Sequence, residues 1–283
     1  MKFVPDPEIN HTNIRIPRRD GTFFSALVLS PKTLRPAAPG VLWLHGGGYM
    51  AGMKEMVYSS RAVDLVKRFG AVVIAPGYRL SFQAPYPAAI HDCYDALLYL
   101  KAHAEEFSIN RNQLMAGGES AGGGLCAALC MMARDLGEVN LSYQMPLYPM
   151  LDNLDTKSSA DNHGKVWNTR KNHFAWRLYL RNDAKKIVSP YAAPARQTDY
   201  SGLPPAYTFV GDGEPFYCET CTFIENLRRA GVEAGMDVYP SDMHAFDMMR
   251  PDGPLSRTAA ERFCTEFSYA AEHYFAENEP QVL

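Results

Sequence analysis

From residue 40 onward, the sequence alternates regularly between short apolar runs and helical patterns. The run GVLWLHGG, 40–47, is continuously apolar and ends in glycines, which is typical of a strand buried on both faces. Helical spacing with a closing Gly70 follows at 59–70. Five further strand patterns, most with a helical pattern behind them, begin near residues 71, 112, 142, 206 and 234. This alternation predicts a largely parallel sheet with helices on both faces.

Before the alternation begins, residues 13–31 contain two strand patterns around an Arg-Asp-Gly turn, which is typical of an antiparallel hairpin. With the six later strands, the sequence predicts an α/β fold with a mostly parallel sheet of eight strands. In such sheets the working residues lie in loops at the carboxyl ends of the strands.

Composition favours one buried globular domain over residues 1–283, because 47% of the residues are apolar and only 21% are charged. The longest polar interruption, at about 152–189, predicts an insertion. A net charge of -3 without clustered Lys or Arg argues against nucleic acid or an anionic membrane as partner. No segment approaches the roughly 18 apolar residues of a membrane span, so we expect a cytoplasmic protein that binds a small molecule.

The six cysteines do not predict a disulfide framework in a chain of this length. Cys126 and Cys130 have the spacing of core-facing residues on one helix. Cys218 and Cys221 form a CxxC motif, but no second pair accompanies it, so we expect neither a metal nor a redox centre.

The segment Gly118–Gly122 fits G-x-S-x-G between a predicted strand and a predicted helix. In that setting the glycines allow a strained turn that exposes the hydroxyl of Ser120 as a nucleophile. A phosphate-binding loop is the competing interpretation of a glycine-rich turn. It is disfavoured, because no Gly-Lys-Ser/Thr follows and the glycines do not form G-x-G-x-x-G.

A serine nucleophile needs a base, usually a histidine oriented by a carboxylate. Of the eight histidines, His244 follows the last predicted strand, where a loop can bring it over the strand ends. The order serine, acid, histidine places the acid between Ser120 and His244. The stretch VGDGEPFYCE, which follows the predicted strand at 206–211, contains three candidates, Asp212, Glu214 and Glu219.

Acyl transfer also needs donors for the developing oxyanion. The motif His45-Gly46-Gly47-Gly48 ends a central strand and offers backbone N–H groups without side chains to block a substrate. The N–H of Ala121, directly after Ser120, is the expected further donor.

With these motifs in order, the sequence resembles the hormone-sensitive-lipase-like branch of the α/β-hydrolase esterases over about residues 13–275. The resemblance implies the α/β-hydrolase fold, Ser120 as nucleophile, His244 as base, and Gly47, Gly48 and Ala121 as oxyanion donors. The segments that carry it are 45–49, 78–80, 87–92, 118–125, 189–194, 201–206 and 227–232.

The acid departs from the family pattern, which is Asp-Pro-Leu-x-Asp-Glu where this chain has Glu-Pro-Phe-Tyr-Cys-Glu at 214–219. Ungapped counting back from LRRAG at 227–231 aligns Glu214 with the catalytic Asp, and Asp212 is the alternative. We interpret Glu219 as an acid that favours the N-terminus of the following helix.

The family's lid includes an N-terminal extension, and only about a dozen residues precede the first strand here, so the lid should rest mostly on 152–189. Aromatic spacing in this insertion predicts one face of a helix packed on the main domain, and some of these rings could line the substrate pocket. Tyr49 and Met50, after the oxyanion loop, are similar pocket candidates. The aromatic residues are Trp167, His173, Phe174, Trp176 and Tyr179.

We therefore expect a serine esterase that cleaves short-chain, acetyl-type carboxylic esters through an acyl-enzyme, without a metal or cofactor. A short lid favours small acyl groups. A peptidase or formamidase using the same triad, and a non-catalytic binding protein on the same fold, remain alternatives. The natural substrate and a possible homodimer are left open by the sequence.

Overall fold

One eight-stranded sheet runs through the computed structural model, which describes residues 4–181 and 187–279. The strand order is β1-β2-β4-β3-β5-β6-β7-β8, with β1 and β2 antiparallel to their neighbours and the other strands parallel. The predicted α/β fold, with its antiparallel hairpin and six parallel strands, is confirmed. The strands are β1 Ile9–Pro17, β2 Phe23–Pro31, β3 Ala38–Leu44, β4 Val72–Pro76, β5 Ile109–Glu119, β6 Tyr143–Leu147, β7 Ala206–Gly211 and β8 Ala234–Tyr239.

Helices cover both faces of this sheet. Helices α2, α3 and α5 pack against one face, whereas α1 and α7 pack against the other. Alternate residues of β3 belong to different cores: Leu42 and Leu44 face the first, and Val41 and Trp43 face the second. A strand buried in this way has to be apolar throughout. The helices are α1 Ala62–Phe69, α2 Ala88–Ala102, α3 Ala121–Leu136, α4 Thr169–Leu180, α5 Tyr217–Arg229, α6 Phe246–Met249 and α7 Pro254–His273.

The described part of the insertion consists of turns from Asp152 to Asn168 followed by α4, and residues 182–186 lie outside the described ranges. Helix α4 packs onto the main domain as predicted, since Trp176 and Tyr179 are buried against Tyr49. The prediction that all five aromatic residues share one face of a helix was wrong: Trp167 precedes the helix, and His173 and Phe174 are exposed. Helical spacing alone does not show where a helix begins.

Neither described range contains a helix with the length and apolar character needed to cross a membrane. The same ranges contain no cluster of three or more His, Cys, Asp or Glu side chains arranged to hold a metal ion.

Candidate active site

Ser120 occupies a sharp turn between β5 and α3. Its φ of 57° and ψ of -118° are unusual for a residue with a side chain, and such strain persists only where the surroundings enforce it. The Ser120 N–H donates to the carbonyl of Leu147 at 3.0 Å, and its carbonyl accepts from the N–H of Met150 at 2.9 Å. Hydrogen bonds to the last residue of β6 and to the segment directly after it thus hold the turn in place.

Gly118 and Gly122 make this turn possible by letting three backbone segments approach one another. A Cβ atom on Gly122 would lie 2.0 Å from the carbonyl oxygen of Leu44, and one on Gly118 would lie 2.5 Å from the same atom. Any side chain at either position would push β3 away from α3. The glycines of G-x-S-x-G therefore serve close packing.

His244, in the loop after β8, lies between the serine and a carboxylate. Its Nε2 is 2.8 Å from Ser120 Oγ, and its Nδ1–H donates to Glu214 Oε2. All three residues are buried: the exposed fraction is 6% for Ser120, 1% for Glu214 and 4% for His244. With the proton on Nδ1, Nε2 is free to accept the serine proton.

Asp212 lies outside this arrangement, although it is only two residues from Glu214. Its side chain is exposed, and Oδ1 accepts a hydrogen bond from the Ser241 N–H at 3.1 Å. The structure therefore brings Glu214, and not Asp212, to the histidine.

Burial raises the pKa of the Glu214 carboxyl, and its contact with His244 opposes that rise. The second oxygen, Oε1, is buried without a hydrogen-bond partner. The rings of Phe216 and Tyr148 contact the imidazole edge-on, with centroid distances of 5.0 and 5.3 Å. The contact with His244 thus favours the ionised form of Glu214 and couples the two groups.

The oxyanion loop follows β3 and packs against the serine turn. Gly47 and Gly48 have φ values of 119° and 61°, a region that favours glycine, and the Gly47 carbonyl accepts from the N–H groups of Met50 and Ala51. Within the described ranges, the N–H groups of Gly47, Gly48 and Ala121 donate to no protein acceptor. These three donors are available for an anionic oxygen.

His45, which begins this loop, is a supporting residue. It is buried and stacks on Tyr78 with a centroid distance of 4.2 Å, and its Nδ1–H donates to the Gly46 carbonyl at 2.8 Å. The Tyr78 hydroxyl donates to the His45 carbonyl at 2.6 Å. Burial lowers the pKa of His45 to about 4, so the ring is neutral near pH 7. Sequence reasoning marked Tyr78 only as a family landmark.

A cluster of buried polar side chains lies beside His244, and the sequence did not predict it. Tyr148, after β6, donates its hydroxyl to Asp247 Oδ1 at 2.9 Å, and Arg61 Nε lies 3.4 Å from Asp247 Oδ2. Asp247 is in α6, three residues after His244. The loop that carries the histidine is therefore held to β6 and to the N-terminus of α1.

Two buried glutamates flank the triad. Glu119 accepts a hydrogen bond from Trp43 Nε1–H at 2.8 Å, and burial raises its pKa to about 8. Glu219 lies in the first turn of α5, as expected, but its Oε1 accepts from the N–H groups of Leu151 and Asp152 at 2.6 and 3.3 Å. Glu219 therefore holds the start of the insertion, a role that the helix-terminus interpretation missed.

The two pocket candidates occupy different environments. Tyr49 is buried, stacks on Tyr179 with a centroid distance of 4.1 Å, and donates its hydroxyl to the Met150 carbonyl at 2.8 Å. Met50 is half-buried and packs against the same core. These contacts place Tyr49 within the core, and contact of either residue with substrate stays a prediction.

A family model described as alpha/beta hydrolase fold matches residues 41–248. Carboxylesterase NlhH of Mycobacterium tuberculosis is 28% identical over 76% of this chain and 69% of its own, and the ethyl acetate hydrolase of Pseudomonas putida is 28% identical over 84% of this chain and 76% of its own.

Solved structures agree with this match. A bacterial heroin esterase superposes with a TM-score of 0.89 at 30% identity, over 96% of this chain and 86% of that one. The chain belongs to the α/β-hydrolase family and, within it, to the hormone-sensitive-lipase-like branch of carboxylic ester hydrolases.

Proposed function

We propose that this protein is a serine esterase that hydrolyses short-chain carboxylic esters through an acyl-enzyme on Ser120. The observation that carries the proposal is the continuous hydrogen-bonded series from Ser120 Oγ through His244 to Glu214, at a strained turn beside free backbone donors. Its relatives bear the names carboxylesterase and ethyl acetate hydrolase, which fits this chemistry.

In the first half-reaction, Ser120 Oγ attacks the ester carbonyl carbon while His244 Nε2 takes the hydroxyl proton. Glu214 keeps the proton on Nδ1 and stabilises the imidazolium that forms. The tetrahedral intermediate collapses, the C–O bond to the alcohol breaks, and Nε2 returns the proton to the leaving oxygen. The acyl group remains on Ser120.

The N–H groups of Gly47, Gly48 and Ala121 stabilise the oxyanion of this intermediate. Ala121 is the first residue of α3, so the helix dipole adds positive potential at the same point. Removal of one such donor typically costs about 3 kcal/mol of transition-state stabilisation. The backbone supplies these groups, hence their number depends on the loop conformation and not on side-chain identity.

In the second half-reaction, a water molecule attacks the acyl carbon while His244 Nε2 takes a water proton. The bond to Ser120 Oγ breaks, Nε2 returns the proton to that oxygen, and the carboxylic acid is released. Apart from the ester and this water molecule, every step uses protein groups, so the proposed reaction requires no metal or cofactor.

Small substrates suit this site because little of it is open. Ser120 and His244 are almost fully covered, and Trp167, from the insertion, packs over the oxyanion loop. In the proposal, residues 152–189 form the lid, and the space beneath it favours acetyl-type groups.

Replacement of the nucleophile tests the mechanism. Ser120→Ala should abolish hydrolysis of 4-nitrophenyl acetate, whereas Ser142→Ala, a buried serine directly before β6, should retain it. Rapid mixing of wild-type enzyme with the ester should release a burst of nitrophenol, and mass spectrometry should find the acetyl group on Ser120. Full activity in Ser120→Ala would refute the proposal.

A substrate panel tests the class and the chain length. We expect acetyl and butyryl nitrophenyl esters to exceed the octanoyl ester in kcat/KM, and esters to exceed matched peptide anilides and formamides. A preference for octanoyl esters would contradict the small-acyl proposal. A preference for amides would indicate a peptidase or formamidase instead.

A further inference from the structure

Trp167, in the insertion, packs against the oxyanion loop and lies near His244. A Cβ atom on Gly48 would be 2.2 Å from Trp167 Cη2 and 2.9 Å from Cζ2, so the benzene edge of the indole rests on the Gly48 backbone. The indole centroid is 6.4 Å from the His244 ring and 6.4 Å from the Phe216 ring. The indole therefore spans the distance between the oxyanion loop and the base.

One buried hydrogen bond holds the Trp167 side chain in position. Trp167 Nε1–H donates to Asn172 Oδ1 at 3.3 Å, and Asn172 is itself buried in the first turns of α4. Asn168 caps α4 by accepting from the Lys171 N–H at 3.1 Å. The indole is thus oriented by the helix that follows it.

A second attachment joins the same segment to the acid loop. Asn162 Nδ2–H donates to the Gly213 carbonyl at 3.2 Å, directly before Glu214. The segment 162–168 is therefore tied on one side to α4 and on the other to the triad loop. These bonds hold the segment beside the catalytic groups.

The chemistry of the leaving group indicates which part of an ester meets this segment. His244 Nε2 has to reach the leaving oxygen to protonate it, so the alcohol portion lies beside the imidazole. Trp167 contacts the oxyanion loop and lies beside that same imidazole. A bulky alcohol placed against His244 would therefore collide with the indole.

We propose that Trp167 limits the size of the alcohol portion of the ester. This inference rests on the proposed esterase function and deepens it by assigning one side of the substrate. Trp167 acts as a specificity-determining residue, and removal of the indole should admit larger alcohols without changing the preferred acyl group.

Two ester series separate the sides of the site. The alcohol series compares ethyl acetate with 2-(1-naphthyl)ethyl acetate, which share the acyl group and a primary alcohol. The acyl series compares ethyl acetate, ethyl butyrate and ethyl octanoate. The ratio of kcat/KM values within a series does not depend on the fraction of folded enzyme, so a partly unstable variant still reports selectivity.

Trp167→Ala should raise the naphthylethyl-to-ethyl ratio by about tenfold or more, as expected for space opened in an apolar pocket, and leave the acyl ratios unchanged. Trp167→Leu should give the same direction, and Trp167→Phe a smaller rise. Trp176→Phe is the matched control: it trims another buried tryptophan of the insertion, one that packs on Tyr49, and should leave the alcohol ratio at the wild-type value.

An unchanged alcohol ratio in both Trp167→Ala and Trp167→Leu would overturn the inference. A shift confined to the acyl series would also overturn it, since Trp167 would then border the acyl side. In either case Ser120-dependent hydrolysis of ethyl acetate by the wild type would leave the esterase proposal standing. Absence of that hydrolysis for every ester would refute the esterase proposal and this inference with it.

Discussion

The hydroxyl of Tyr148 donates a 2.9 Å hydrogen bond to Asp247, which joins the end of β6 to the short helix directly after His244. Both side chains are buried, and the Tyr148 ring also contacts the imidazole edge-on. This bond links the loop that carries the base to the strand that holds the Ser120 turn. Its energy should therefore affect both stability and catalysis.

Tyr148→Phe should lower the free energy of unfolding by about 1–2 kcal/mol, because a buried carboxylate loses a donor. It should also lower kcat more than it changes KM, since the imidazole is less firmly positioned. Tyr143→Phe, at the other end of β6, is the control; it is also buried, but the described contacts include no hydrogen bond from its hydroxyl, so we expect a smaller loss of stability. Urea unfolding and steady-state kinetics on both variants measure these effects. Equal stability losses would argue against the Tyr148–Asp247 bond as the cause.

Substitution of the two acids tests the triad. Glu214→Gln should lower kcat by about 10²- to 10⁴-fold, because an amide no longer fixes the Nδ1–H tautomer or stabilises the imidazolium. Asp212→Asn keeps an oxygen that can accept from Ser241, so its kcat/KM should stay within a few-fold of wild type. A larger loss in Asp212→Asn than in Glu214→Gln would reverse the assignment.

The buried carboxyl of Glu119 should make stability depend on pH. Burial raises its pKa from 4.5 to about 8, so the folded protein holds this proton where the unfolded chain releases it. The contribution of this pKa shift to the free energy of unfolding is fully present below about pH 4.5 and is lost as the pH rises to about 8. Between these values the free energy of unfolding falls by about 1.4 kcal/mol per pH unit.

Glu119→Gln retains an acceptor for Trp43 and has no carboxyl to ionise. Its free energy of unfolding should therefore increase relative to that of wild type between pH 5 and pH 8. Urea unfolding at each pH measures it. The exposed Glu272→Gln is the control and should follow wild type throughout. Parallel curves for Glu119→Gln and wild type would contradict the buried, protonated Glu119.

The contact between Gly48 and Trp167 predicts energetic coupling. Gly48→Ala adds a Cβ 2.2 Å from the indole at a φ of 61°, and should destabilise the protein by about 2 kcal/mol or more while lowering kcat/KM. In Gly48→Ala/Trp167→Ala the collision is absent. The double variant should therefore lose about 1 kcal/mol less stability than the sum of the losses in the two single variants. A double-mutant cycle by urea unfolding measures this, and strict additivity would show that the two residues do not interact.

Much of the site could be predicted from the sequence because short, local sequence motifs form it. The strand before Gly118 and the helix after Gly122 predict the turn at Ser120, and the order of motifs predicts a late histidine and an acid between them. The register from LRRAG predicts Glu214, which the structure brings to His244. Local spacing carries this information, since each motif needs only its own neighbours to form.

Contacts between distant segments did not follow from the sequence. Tyr148 and Asp247 are 99 residues apart, and nothing in either segment indicates the other. Glu219 bonds to the backbone of Leu151 and Asp152, an acceptor role that helix-terminus electrostatics did not predict. The indole of Trp167 rests on Gly48, although helical spacing grouped it with the aromatic residues of α4.

Apolar periodicity and glycine placement act over short stretches of chain. The amino-acid sequence alone therefore predicts the α/β sheet, the strained serine turn, the glycine loop and the candidate triad. The folded structure was needed to show which buried groups support the imidazole and which ring packs over the oxyanion loop. Those outcomes depend on how loops from different strand ends pack together, and packing of that kind is set by the shape of the whole domain.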